Sequence, residues 1–205
     1  MITTDLDKLR IPVPVSNFES NEAEVISAAL FSELTIAGGL GLSANQIGLS
    51  KRVCVINVKE EPLYLINPQI VETSEERFTY YEGCLSIPKT KKKLIKTERF
   101  EWVKVRADNL ADDMVFGPDS REDWDANPVN FWNDVGFLQS VVIQHEIDHL
   151  NGITIKDRVY SSTVSKVKKY GRNEQVMFMN VKTGDAEFMK YKHGIHLLGE
   201  GWEVK

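Results

Sequence analysis

A chain of 205 residues with a formal charge of -5 has room for one hydrophobic core and a small appendage, not for two ordinary domains. No apolar run is long enough to span a bilayer, so a membrane role is not expected, and two cysteines, Cys54 and Cys84, exclude a disulfide scaffold. The polar stretch Met1 to Arg10 lacks the basic start and apolar core of an export signal, which makes the cytoplasm the expected location.

From the N-terminus, the segment through Pro12 and Pro14 reads as an extended arm. Asn21 followed by Glu24 is a capping-box-like start. Val25, Ile26, Ala29 and Leu30 then recur at helical spacing, which predicts a helix to about Ala37. Gly38 to Gly48 follows, rich in glycine and small residues that let backbone and substrate approach closely. A phosphate loop is excluded there by the missing Lys-Ser/Thr pair, and the dinucleotide fingerprint fits poorly. Arg52 to Val58, Leu63 to Ile66 and Trp102 to Ala107 read as strands. Cys54, inside a β-branched run, reads as core. Cys84 stands instead in Glu82-Gly83-Cys84-Leu85-Ser86, among small and polar residues where a thiolate can be presented to a metal. Asp112 to Asp134 is rich in Asp, Asn, Pro and Gly and reads as a long surface loop. Strands followed by a helix, without regular βαβ alternation, predict an α+β fold in which antiparallel strands pack around a central helix.

That helix carries Gln144-His145-Glu146-Ile147-Asp148-His149, an H-E-x-x-H motif. Two histidines four positions apart share one helical face and both reach a single divalent ion, while Glu146 can point at a water beside the ion. Leu138, Val141 and Val142 precede His145 on the same face and predict an apolar wall next to the metal. Asn133 or Asp134 suits the helix start, and Asn151-Gly152 its stop. A catalytic site of this kind takes a third protein ligand. The metzincin spacing fails, because its third histidine would fall at Ile155. Glu174 would make a thermolysin-like zinc peptidase, and Cys84 is the other candidate; a non-enzymatic module stapled by its metal also remains open.

Gly39-Leu40-Gly41-Leu42-Ser43-Ala44-Asn45-Gln46, Glu82 to Ser86 and Gln144 to His149 together resemble the three signature motifs of peptide deformylases, in the family's order. The second and third match fully, whereas the first carries Ser43 where alanine is usual and Asn45 where proline is common. The resemblance covers about residues 1 to 157, an expected catalytic domain. It implies that Cys84, His145 and His149 bind one divalent ion, usually Fe2+ in this family although Zn2+ can occupy the site. It implies a hydrolase that removes the formyl group from the initiator methionine of N-formylmethionyl nascent peptides, with Glu146 moving the proton. Gln46 and the backbone N–H of Leu85 would form an oxyanion hole. Leu40, Gly41, Leu138, Val141 and Val142 would receive the methionine side chain, and Glu82 with Arg106 would steady the Cys84 segment.

Residues 156 to 205 hold ten Lys or Arg against six Asp or Glu, so this end is +4 and the preceding body -9. Val176 to Val181 and Glu187 to Tyr191, flanking Lys182-Thr183-Gly184-Asp185, predict a hairpin in a small β-rich basic extension over residues 158 to 205. Its charge points to a polyanion, the ribosome or rRNA, as partner. His193 and His196 lack a ligand cluster beside them and read as solvated or packing residues.

Overall fold

The computed structural model describes residues 1–59, 61–87, 94–119, 134–160, 173–180, 185–194, 197 and 202–204. They fall into two compact units, Met1–Tyr160 and Ser161–Lys205.

In the first unit, β1 (Gly41–Ser43), β2 (Val53–Ile56) and β3 (Leu63–Ile66) form an antiparallel sheet in that order. The run Val53-Cys54-Val55-Ile56 is apolar at every position because β2 is covered on both faces. Val53 and Val55 pack against the helix α1 (Glu22–Ala37) with Ile26, Leu30 and Leu34, while Cys54 and Ile56 face the helix α2 (Val135–Leu150) with Val142, Ile143 and Ile147. A second sheet, β4 (Gln69–Thr73), β7 (Val103–Arg106) and β8 (Met114–Phe116), adds Val103, Val105 and Phe116 to that inner core. The hairpin of β5 (Arg77–Glu82) and β6 (Ile95–Phe100) completes the unit. Helix α2 is thus surrounded by antiparallel strands, and the expected α+β architecture holds.

Several local expectations are corrected. The arm before Pro12 contains one helical turn, Leu6–Leu9, because Asp5 accepts from the N–H groups of Asp7 and Lys8 at 3.1 and 3.4 Å. Helix α1 ends at Gly38 in the left-handed conformation, as a glycine there permits, but Asn21 makes no side-chain cap. Val25 is 59% exposed; the buried stripe runs through Ala23, Ile26, Leu30 and Leu34. The stretch read as one surface loop contains β8, and Asp119 turns back to accept from Gly136 N at 2.9 Å at the start of α2. Asp134 caps that helix by accepting from Phe137 N at 2.8 Å. Residues 120–133, including Asn133, lie outside the described residues.

The C-terminal end of α2 is held by Arg52, which is 7% exposed. Its guanidinium donates to the carbonyls of Val13, Pro68 and Leu150 and to Asn151 Oδ1, at 2.8 to 3.2 Å. A cation there also suits the negative end of the helix dipole.

In the second unit, β9 (Gln175–Asn180) pairs on one side with β10 (Ala186–Lys190) and on the other with β11 (Trp202–Val204). Val176 and Phe178 are buried, and Phe178 stacks on Tyr191 with ring centroids 6.2 Å apart. The turn residues 182–184 and His196 lie outside the described residues, and His193 is exposed.

Candidate active site

A helix buried on nearly all sides must satisfy every polar group it carries. On α2, Gln144 does so by donating to Phe100 O and Ser140 O and accepting from Phe100 N, at 3.0 to 3.1 Å. Asp148 accepts from Arg99 Nη1 at 2.6 Å and from Arg158 Nη2 at 2.7 Å. Glu146 Oε2 and His149 Nδ1 are the exceptions, buried with no hydrogen-bond partner.

The helix turn brings His145 Nε2 within 3.2 Å of His149 Nε2, and the segment after β5 brings Cys84 Sγ within 3.2 Å of the same His149 nitrogen. All three ligand atoms lie within 4.8 Å of one another. Among the described residues this is the one such group of three or more metal-capable side chains, and Glu174 is not part of it. Two imidazole nitrogens and a cysteine sulfur converging on one point fit a shared divalent cation.

The environment of each group has a physical cause. His145 Nδ1 lies 2.7 Å from Glu82 Oε2, which turns Nε2 toward the cluster. Glu82 also accepts from Thr97 Oγ1 and from Arg99, whose Nε and Nη2 reach its two oxygens at 2.6 and 2.9 Å. Burial works to raise the Glu82 carboxyl, but His145 and Arg99 outweigh it and hold it at about 2. Burial disfavours charge on His145, yet Cys84 and Glu82 outweigh it and push the ring up to about 10. The surroundings of that ring therefore favour a positive charge, which a bound cation supplies in place of a proton. Burial, with the positive neighbours His145 and Arg99, pushes His149 well below its ordinary value and keeps it neutral, the form that ligates metal. Burial also pushes Glu146 up to about 7, with the positive charge of His145 acting the other way.

The expected Glu82–Arg106 pair does not exist. Arg106 is paired with Asp113 at 2.8 Å with 65% of its side chain exposed, because β7 turns it outward; Arg99 on β6 is the partner. No sequence signal singles out Arg99, since its strand carries its polar side inward: Thr97 and Arg99 are buried and Lys96 and Glu98 are not.

The first motif approaches α2 as closely as atoms allow. A Cβ on Gly41 would stand 2.6 Å from Glu146 Oε1 and 2.7 Å from Val142 Cγ1, so a larger residue on β1 would force those two side chains of α2 to shift. Gln46 lies in a short 3-10 helix, Ala44–Ile47, and is 1% exposed. Its Oε1 accepts from Ser43 N and Ser43 Oγ, both at 2.9 Å, which leaves Nε2 to donate to Ser86 Oγ at 3.1 Å and to face Cys84 Sγ at 3.9 Å. Ser43 thus helps to orient Gln46. Leu85 packs on the α1 side of the core, close to Gly39, and Leu40 is 46% exposed. The proposed apolar wall divides: Val142 and Leu138 pack with the inner core, whereas Val141 joins Phe137, Phe78 and Tyr80.

The sequence profile of the family described as Polypeptide deformylase matches residues 6–165. The peptide deformylase of Heliobacterium modesticaldum is 38% identical over 146 residues, covering 71% of this chain and 83% of that one. That of Treponema pallidum is 35% identical over 146 residues, covering 71% and 78%. Among solved structures, the peptide deformylase of Thermotoga maritima superposes with a TM-score of 0.60 at 29% identity, over 78% of this chain and 97% of that one. The class I type b peptide deformylase of Acinetobacter baumannii gives 0.58 at 28% identity, over 77% and 96%. With its three motifs gathered about one buried helix turn and the profile matched across most of its length, the chain belongs to the polypeptide deformylase family.

Proposed function

We propose that Cys84, His145 and His149 hold one ferrous ion, which zinc can replace, and that Glu146, Gln46 and Leu85 carry the deformylation of N-formylmethionyl peptides around it. The activity itself, removal of the formyl group from nascent peptides, is that of the family to which the chain belongs. The observation that carries the residue assignment is the meeting of one thiol and two imidazole nitrogens beside the unpartnered Glu146 Oε2. A bound ion would act as a Lewis acid toward water and toward the formyl carbonyl.

Around it each residue has a definite task. Glu146 Oε2, poised near neutrality, takes a proton from the attacking water and returns it to the departing amine nitrogen. Water oxygen bonds to the formyl carbon, the carbon–nitrogen bond breaks, and formate and a free amine result. Gln46 Nε2 and the Leu85 N–H donate to the oxygen that gains charge on the way. Leu40, Gly41, Leu138, Val141 and Val142 border the methionine side chain, with Leu40 the most exposed of the five.

Protein purified without oxygen is assayed for bound metals and for formate release from a formyl-Met-Ala peptide, beside cleavage of an unformylated casein-like chain. One iron per chain and formate without chain cleavage are expected. Chain cleavage without formate would instead mark a peptidase. The second unit, whose Lys190 and Lys192 are exposed, is proposed to dock on the ribosome or rRNA. Co-sedimentation with ribosomes that declines steeply as salt rises supports this, and no co-sedimentation at low salt refutes it. The cytoplasm is the proposed location; no described helix is long and apolar enough to cross a membrane.

A further inference from the structure

The line of buried charge that starts at His145 continues past Asp148. Arg158 donates from Nη2 and Nε to the two oxygens of Asp148, at 2.7 and 3.0 Å. Asp148 accepts in turn from Arg99 Nη1 at 2.6 Å, Arg99 forks onto Glu82, and Glu82 holds His145 Nδ1 at 2.7 Å. Signs alternate along this line, so two guanidinium groups balance two carboxylates. The side chains of Arg99, Glu82 and Asp148 are 2%, 4% and 8% exposed, whereas that of Arg158 is 40% exposed. Arg158 is therefore the solvent-side end of the line.

Its backbone is tied down on both sides. Asp157 Oδ2 accepts from Thr154 N and Oγ1 at 3.0 and 2.7 Å. Val159 bridges to Thr97, and Tyr160 N donates to Lys96 O at 2.8 Å, which straps residues 157–160 along β6. That strand also carries Thr97 and Arg99, both bonded to Glu82.

We propose that Arg158 is a positioning residue for the metal site: by neutralising Asp148 it leaves Arg99 committed to Glu82, and Glu82 keeps the His145 ring turned toward Cys84 and His149. This rests on the ligand assignment proposed above. Without Arg158, one guanidinium must serve two buried carboxylates, Glu82 and Asp148, and its fork on Glu82 is weakened. The hydrogen bonds of Arg158 go to Asp148, not to Cys84, His145 or His149.

The test is metal release from the loaded full-length protein, followed with a chromogenic chelator, together with thermal unfolding of the metal-free form. Partners bonded directly to a ligand change metal affinity about 10- to 100-fold, so Arg158→Gln, further out, should speed release roughly three- to tenfold. Arg158→Lys should recover part of that. Arg10→Gln, which removes the 2.9 Å bridge to Asp157 but leaves the charge line intact, should not change release. On an Asp148→Asn background the effect of Arg158→Gln should shrink, because Arg99 no longer faces a second carboxylate. Unchanged release in Arg158→Gln overturns the positioning role, as does equal acceleration by Arg10→Gln, which would mean general loosening. Wild-type protein that takes up no stoichiometric ion overturns the ligand assignment itself, a result distinct from either.

Discussion

In Met1–Tyr160 a set of buried polar side chains converges on one helix: Glu82, Arg99, Gln144, His145, Glu146, Asp148 and His149 are each no more than 8% exposed. In the described part of Ser161–Lys205 burial falls on Val176 and Phe178, and β10 presents Phe188 at 68% exposure with Glu187 and Lys190 also exposed. Charge withdrawn from water acts strongly over short distances and shifts its neighbours' proton affinities, whereas the same charge on a solvated sheet is screened. The first unit thus holds its buried charged groups in fixed relation, whereas the described residues of the second leave most of their side chains exposed.

The sharpest way to break that contrast is at Glu146. Glu146→Gln should lower formate release by about two to four orders of magnitude while bound metal stays stoichiometric, because in the proposed mechanism the side chain moves a proton and is not a ligand. Near wild-type turnover would remove it from the mechanism, and loss of metal would make it a ligand. One layer out, Glu82→Gln should weaken metal binding about 10- to 100-fold in chelator titrations, since it removes the acceptor that orients His145. Unaltered affinity would show that packing alone holds the ring.

At Gly41 the contact is steric. Gly41→Ala must displace Glu146 and Val142, and a cost of about 1–3 kcal/mol in denaturant unfolding is expected, with reduced turnover. Wild-type stability would mean that β1 shifts freely beside α2. The smallest effect belongs to the second unit. Phe188→Ser, at an exposed position, should change thermal stability by no more than about 0.5 kcal/mol and leave turnover on a short formyl peptide unaltered. A large loss of turnover would tie Phe188 to the chemistry and end the contrast between the units.

What the sequence by itself determined lies in local patterns with strict spacing. Two histidines four apart on a helix must share a face, the β-branched run around Cys54 reads as a strand with that cysteine in the core, and Gly38 and Gly152 end their helices with positive φ. Gln46, Cys84 and the H-E-x-x-H turn were likewise legible as motifs, and the structure brings them together. What only the tertiary structure decided concerns partners distant in sequence and strands whose polarity is inverted. β5 and β6 escape periodicity because Glu82, Thr97 and Arg99 are buried, against the usual rule that the apolar side faces the core. Arg99 and Arg106 are both strand arginines, and sequence offers no ground for preferring one as the partner of Glu82. The choice follows from side-chain direction: the pleat turns Arg99 inward between two carboxylates and Arg106 outward to Asp113 and water.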